Sequence, residues 1–488
     1  MNDLVKDFEG KLLHGDASYK ALFFKDLFKN DSVLRHRKLS CHGFNAEILF
    51  FDGMTNSEFI SETIIKPLLL CTPEETDEIS EFLAGRVLFS AEVTKTGDIS
   101  KMIRAITYGG TLVLLDGDTN LICDTKGFKT RSIEEPHDER ILKGPREGFC
   151  EVALYNISLV RRKLPTFDFK VEETNLGRRT DTKVFILYLN SIIDKKVLQE
   201  LKRRLKKIDI DGILDSNYIN EMIRDSKKSF VKTIGSTERP DIVAARLLEG
   251  RIAVIVDGTP VALTLPYFFL ENFQSDDDYY LNYFLATLGR IIRYICFILA
   301  TTIPAVFLAI LNFFPALLPT SFILSISGAR EGIPFPSSVE ALVLIFVFEI
   351  LKETGVRMPQ SLGHTLSIVG GLVVGEAAVT ANIVSAPMLI VVALSGICGL
   401  MIPKLNSVVF YTRVFLTVLA SILGMYGVFI GAIILLAKLF SIKSFGADYT
   451  IGLKYANCAS LKDDYIRVPW NMMKERPYDI TNNRKRQA

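Results

Sequence analysis

Three carboxylates in apolar surroundings are the residues of this sequence best placed to do chemistry: Glu340, Glu349 and Glu376. A charge inside a bilayer is costly, so an intramembrane acid marks an ion or substrate path by default. Nine residues at about 100° each put Glu340 and Glu349 on opposite faces of a regular helix. They cannot then line one cavity together. Glu349 lies three residues before Lys352, so local pairing near the membrane interface is the plainer alternative. Glu376 has no charged residue within a helical turn and is the candidate for a water-facing position.

Small residues recur beside these acids. Gly363, Ser367, Gly371 and Gly375 come every fourth residue and form one stripe; Gly427 and Gly431 repeat the spacing. Lipid gives helices no hydrophobic reason to associate, whereas small residues let backbones approach. The stripes fit helix packing within one chain or an oligomer interface around a shared axis.

Other constellations are weaker. His36, Cys41 and His42 are close in sequence but lack a second ligand pair. Asp116-Gly117-Asp118 is too short for a calcium loop. Three apolar segments end in Asp-Gly, at Asp52-Gly53, Asp116-Gly117 and Asp257-Gly258; this pair supplies the positive φ of a tight turn after a strand. There is no strand-linked GxGxxG, Walker loop, GxSxG or HExxH. The expectation is no enzyme site, no metal and no cofactor. The helix expected at Lys195–Lys207 carries Lys202, Arg203, Arg204, Lys206 and Lys207, which suits a solvated face, anionic lipid or an acidic partner.

These residues need elements to hold them. Of 488 residues, 112 are Asp, Glu, Lys or Arg, but only 13 of those lie between Thr287 and Lys438. One block is membrane-like and the rest is highly charged. That excludes a wholly disordered chain, a secreted disulfide mini-protein and a purely soluble enzyme. A net charge of +2 does not suggest a nucleic-acid binder. The seven cysteines form no CxxC pair, which fits idle thiols rather than a disulfide framework. Residues 1–16 show no apolar core of a signal peptide, so internal segments are expected to drive insertion.

The expected architecture is an α/β soluble N-terminal region of two subdomains followed by an all-α polytopic membrane domain. Its parts are an N-terminal arm, charged and read as helix or a loose arm (1–40), subdomain 1 (41–178), subdomain 2 with a connector (179–286), the helical membrane domain (287–441) and a cytosolic tail (442–488). The boundary at 178 follows the break in apolar pattern at Arg178-Arg179-Thr180-Asp181-Thr182-Lys183. Apolar runs begin at Arg290, Ser338, Leu362, Ile383 and Ser407. The last, reaching Phe440, would be about 50 Å long as one helix, against a hydrocarbon core of about 30 Å. It is either two short spans or one long or kinked helix, with Gly424 and Gly427 as the weak point. Arg290 and Arg293 before the first span, and the basic tail, place both ends inside. Five runs give that only if the last is double or one is re-entrant.

The residues resemble the A subunit of GerA-type nutrient germinant receptors of endospore-forming bacteria, through most of 40–478. The most specific stretch is Gly332-Ile333-Pro334-Phe335-Pro336, Glu340, Phe348-Glu349-Ile350-Leu351-Lys352-Glu353 and Arg357-Met358-Pro359. It continues through Gly363, Ser367-Ile368-Val369-Gly370-Gly371 and Gly375-Glu376-Ala377-Ala378-Val379 to Val384-Ser385-Ala386-Pro387. In the soluble half, Gly144-Pro145-Arg146-Glu147-Gly148-Phe149 and Asn156-Ile157-Ser158-Leu159-Val160-Arg161-Arg162 fit, as do Pro469-Trp470 and Arg476-Pro477 in the tail. At Glu376 the family pattern carries Gln in most members, which fits a tuning position.

The resemblance implies a multi-pass protein in the inner membrane of the dormant spore, with its N-terminal domain on the core side. It implies assembly with a transporter-like, nutrient-binding B subunit and a lipoprotein C subunit. It also implies homo-oligomers, as a pentamer, forming a ligand-gated channel for monovalent cations. A non-conducting scaffold that links the nutrient sensor to other germination proteins is the alternative. A secondary transporter would need inverted repeats with paired broken helices, and the sequence shows no convincing repeat of that kind.

Overall fold

The computed structural model describes residues 8–41, 43–72, 78–127, 139, 143–226, 229–357, 375–454, 463–476, 480–481 and 483. The soluble half holds two five-stranded antiparallel sheets. The first contains β1 (Leu34–Cys41), β2 (Phe44–Phe51), β3 (Val93–Thr96), β4 (Gly110–Leu115) and β5 (Asn120–Asp124), in the order β1-β2-β4-β5-β3. The second contains β6 (Phe169–Leu176), β7 (Thr182–Leu189), β8 (Gly235–Thr237), β9 (Ile252–Val256) and β10 (Ala262–Leu265), in the order β6-β7-β9-β10-β8. Counted from its own first strand, each sheet has the same order. A helix precedes each sheet, α1 (Ala17–Leu27) and α3 (Ala153–Lys163). Another leads into each fourth strand, α2 (Ile99–Thr107) and α6 (Pro240–Leu248). The second unit also carries α4 (Lys195–Leu205) and α5 (Ser216–Ile223) between β7 and β8. The soluble half is one αβ unit used twice.

The Asp-Gly pairs explain part of that repetition. Asp116 accepts a hydrogen bond from the Ala17 N–H at 2.7 Å, and Asp257 accepts one from the Ala153 N–H at 3.0 Å. The N–H of Gly117 donates to the Gly15 carbonyl, and that of Gly258 to the Glu151 carbonyl. In both units the turn after the fourth strand satisfies the exposed N-terminal donors of the unit's first helix. Both glycines have positive φ, +98° and +89°. These aspartates are therefore helix caps.

Burial explains why β4 and β9 read as unbroken apolar runs. All six residues of β4 and all five of β9 are buried. Leu112 and Leu114 face a core that also holds Phe169, Phe185, Ala253 and Ile255, so the two units share it. Val113 and Leu115 face a separate cluster under the helical stretch 57–70. The second unit closes its far side around Leu198, Leu201 and Leu205 of α4.

Two expected boundaries move. Of the two readings of the first stretch, residues 8–40 take the folded one, because α1 buries Phe24, Phe28 follows it into the same core, and β1 is an edge strand of the first sheet. The expected boundary at 178 falls in the turn of the β6–β7 hairpin, where Leu176 pairs with Thr182. The charged run there is a hairpin turn rather than a linker; Asp181 has φ +45° and Arg178 pairs with Asp209 at 2.5 Å. The second unit starts with α3.

The described longer helices of the second half are α7 (Tyr283–Phe313), α8 (Thr320–Ala329), α9 (Ser337–Arg357), α10 (Ala386–Leu400) and α11 (Asn406–Phe440), with a shorter stretch at 375–380. By length and composition, α7 and the stretch Pro403–Phe440 could each cross a membrane. Within α11, Gly424 leaves the helical region with φ 59° and ψ −138°. A Cβ on Gly431 would lie 2.7 Å from Leu416 and 2.9 Å from Leu419. In a straight helix, residues 416 and 431 would be about 22 Å apart. The chain therefore folds back at Gly424, and the 34-residue apolar run is a hairpin of two arms. Beyond it, β11 (Lys443–Ser444) and β12 (Ala447–Asp448) form a small ribbon. Phe445 in its turn enters the far-side core of the second unit, so the chain returns to the soluble half.

Candidate functional site: the carboxylates of the helical domain

Glu340 and Glu349 both sit on α9 but have different neighbours. Glu340 is 1% exposed. One carboxylate oxygen accepts from the Ser385 N–H and from the Ser385 hydroxyl, each at 2.5 Å. Ser385 is the N-cap of α10. The acid thus lies at the positive end of that helix, where a negative charge is favoured. Its second oxygen is buried without a hydrogen-bond partner. Pro387 in the first turn of α10 lacks an N–H, which suits that position.

Glu349 reaches Lys352 one turn along, at 2.5 Å. Its other oxygen is buried and has no hydrogen-bond partner. Glu376 is exposed, one residue into the described part of its helix; among the described residues its backbone carbonyl is engaged, accepting from the Thr380 hydroxyl at 2.8 Å. The structure does not bring the three acids together into one cluster. Two are built into packing and one faces outward.

Of the small-residue candidates, Gly363, Ser367 and Gly371 lie outside the described residues. Gly375 is half-buried, and a Cβ there would be 3.6 Å from Leu389 of α10. Gly427 and Gly431 pack against the other arm of their own hairpin. Two further glycines were not singled out by spacing. A Cβ on Gly396 would run into the Phe348 ring, and one on Gly399 would come 3.4 Å from the Arg413 guanidinium. These positions on α10 make room for α9 and α11.

Sequence reading also passed over Arg413, two turns into the long apolar run that starts at Ser407. It is 2% exposed, and Nε and Nη1 have no hydrogen-bond partner. A lone intramembrane arginine is the signal that could have found it.

The junction between the halves is ionic. Arg290 of α7 is fully buried; it bonds Asp278 at 2.8 Å and also reaches Asp463 of the tail. Arg293 reaches Asp278 at 2.7 Å, and Lys404 donates to the Gln274 carbonyl at 3.1 Å. Arg251 and Arg246 both pair with Glu271, at 2.6 and 2.9 Å. Burial works against ionisation of Asp278, but the two arginines hold its carboxyl below the usual range. Asp464 behaves oppositely: burial, with Asp463 and Glu271 beside it, pushes its carboxyl up to about 7. Arg290 and Arg293, read as orientation signals, are here the bolts between α7, the connector and the tail.

The basic face of α4 is largely engaged. Lys202 pairs with Glu172 at 2.5 Å and Arg203 with Glu200 at 2.6 Å. Arg204 pairs with Asp225 at 2.6 Å and stacks over the Phe445 ring. His36 gives its Nε2 to Glu47, which also accepts from Ser18. His42 lies outside the described residues.

The soluble motifs carry structure too. Arg161 is buried, pairs with Asp31 at 2.7 Å and lies over the rings of Phe51 and Phe169. Glu147 pairs with Arg162 and Lys163, and Asn156 bonds both backbone groups of Cys150. The Arg161 contacts tie the two αβ units together, and the others hold α3 to the segment that leads into it.

Comparison with known proteins gives the context for this arrangement. "Spore germination protein KA" of Bacillus subtilis (strain 168) is 38% identical over 93% of this chain and 85% of its own. "Uncharacterized membrane protein YfkQ" of the same organism is 40% identical over 91% of this chain and 87% of its own. The crystal structure of the N-terminal domain of the A subunit of the Bacillus megaterium spore germinant receptor GerK3 is 29% identical. It covers 53% of this chain and 98% of that one, with a TM-score of 0.41. The family described as Bacillus/Clostridium GerA spore germination protein matches residues 22–479. The chain belongs to that family.

Proposed function

We propose that this chain is the membrane subunit of a nutrient germinant receptor in the spore inner membrane, and that it oligomerises as the pore-forming part of a ligand-gated monovalent cation channel. The family match over residues 22–479 carries this reading. The partners are a transporter-like B subunit that binds the nutrient, a lipoprotein C subunit, further copies of this chain and membrane lipid. Its role is conduction and not enzymatic turnover. The ionic junction around Arg290 supports transmission between the soluble units and the helical domain. Glu376 is the carboxylate left available to face an ion path, and the Gly363–Gly375 stripe is the surface for packing between copies. The α11 hairpin supplies two arms of roughly 24–27 Å at 1.5 Å per residue, which suits an even number of crossings.

The scaffold reading also has a specific support. Glu340 and Glu349 are engaged in packing within one chain, which leaves fewer acids for a pore. Reconstitution decides between the two. The purified chain, placed in potassium-loaded liposomes, is followed for potassium efflux, alone and then with its B and C partners. Efflux altered by Glu376→Gln or Gly371→Leu supports the pore. Absence of efflux from an inserted oligomer with both partners and nutrient present supports the scaffold.

A further inference from the structure

The membrane domain contains two half-satisfied groups of opposite charge in one packing layer. Arg413 on the first arm of α11 is 2% exposed, and its Nε and Nη1 lack acceptors. Glu349 on α9 has one oxygen on Lys352 at 2.5 Å and the other buried without a donor. One turn earlier on each helix, the rings of Phe346 and Phe410 meet with centroids 5.7 Å apart. The two helices run antiparallel, because α9 starts beside the N-terminus of α10 while α11 returns along α10 from its C-terminus. What places 349 and 413 together is one turn of α10, between Gly396 against Phe348 and Gly399 against the Arg413 guanidinium. Glu349 is also the carboxylate whose field acts on Arg413. The third wall is α10. Gly399 leaves room for the guanidinium, and Gly396 takes the Phe348 ring beside Glu349.

A buried guanidinium without acceptors is rare and expensive, more so where no water competes. So is a buried carboxylate oxygen without a donor. Each supplies what the other lacks. We propose that Glu349 is a two-position carboxylate that alternates between Lys352 on its own helix and Arg413 on α11. In the position seen here it is held locally and Arg413 waits. In the other it joins α9 to α11 across α10. The two positions give the helical domain two arrangements with different ties between helices, and any ligand that favours one shifts the population. The inference rests on the helical domain being membrane-embedded and not on its conducting ions.

A double-mutant cycle on the full chain in detergent tests it, read by thermal unfolding and by size exclusion. Glu349→Gln and Arg413→Gln should each lower the midpoint by a few degrees. The double variant should lose no more than the worse single one. Lys352→Gln should strengthen the coupling between 349 and 413, because the local position is gone. If either single variant fails to fold, the exchanged pair E349R/R413E should still yield folded protein where E349R and R413E alone do not. Additive losses, or a neutral Arg413→Gln with Lys352→Gln as harmful as Glu349→Gln, would overturn the proposal. Because none of these readouts uses ion flux, a chain that never conducts leaves the result unchanged.

Discussion

Gly427 packs against the carbonyl of Leu419, eight residues earlier in the same apolar run. A Cβ added there would lie 2.6 Å from the Leu419 carbonyl carbon. In a continuous helix eight residues span about 12 Å, so this contact exists only because the chain reverses at Gly424. The reversal needs a residue free to take positive φ, and it must also clear Phe313, whose ring would be 2.8 Å from a Cβ at 424. Gly424→Ala should cost about 2 kcal/mol or more from backbone and contact together. Gly427→Ala should be worse, since backbone cannot move aside. Gly431→Ala should be mildest, because the atoms it meets are the ends of Leu416 and Leu419. Thermal unfolding in detergent ranks the three; equal losses would contradict the hairpin.

The paired caps make a second prediction. Asp116 and Asp257 do the same job in the two units, so Asp116→Ala and Asp257→Ala should each cost about 1 kcal/mol. The losses should add in the double variant, since each cap serves its own helix. Replacement by Asn should recover most of the loss, which a metal-binding or catalytic role would not allow. Chemical denaturation is the measurement.

Much of the soluble fold was legible because strand and turn chemistry is local. α2 starts at its N-cap Asp98 and α6 at Pro240 in its first turn, both start signals that stand in the local sequence. The duplication was not legible. It shows in strand order and in which aspartate caps which helix, 99 and 104 residues away, and long-range pairing leaves no periodic trace. The first stretch stayed open between helix and loose arm, because Lys20 lies among the buried residues Ala17, Ala21 and Phe24 and blurs the apolar face. In the helical domain the acids were found by type, and the local Glu349–Lys352 pair was readable from spacing, but Glu340's partner Ser385 comes from another helix. Spacing along one helix cannot reveal it.

Glu340 should be sensitive to loss of its acceptor rather than of its charge. Its engaged oxygen serves the Ser385 N–H and hydroxyl at the start of α10. Glu340→Gln keeps a carbonyl oxygen there, whereas Glu340→Ala leaves both donors buried and unmet, at about 2–4 kcal/mol. Thermal unfolding should therefore show Ala far worse than Gln. If Gln is as damaging as Ala, the full negative charge matters and an ionic role for Glu340 gains ground. Glu376→Gln should leave the unfolding midpoint unchanged, because the side chain is exposed and the carbonyl contact is backbone.

The junction predicts a pH dependence of definite sign. Asp464 is raised to about 7 in the folded protein by burial and by its acidic neighbours, against an ordinary value near 3.9 when unfolded. The folded state therefore holds the proton more tightly between those values. Stability should fall as pH rises from about 4 to 7 and level off above, by up to about 4 kcal/mol from this group alone. Asp278 acts the other way. Burial opposes its charge, Arg293 and Arg290 more than offset that, and its carboxyl lies below the ordinary value. Its contribution is present above about pH 4 and is lost as pH falls further. The two are separable by substitution. Asp464→Asn should raise the unfolding midpoint at pH 8 and leave it unchanged at pH 4, whereas Asp278→Asn should lower it at pH 8. An Asp464→Asn variant no more stable than the parent at pH 8 would mean that the carboxylate is matched by Arg290 and Arg251 and carries no strain at the junction.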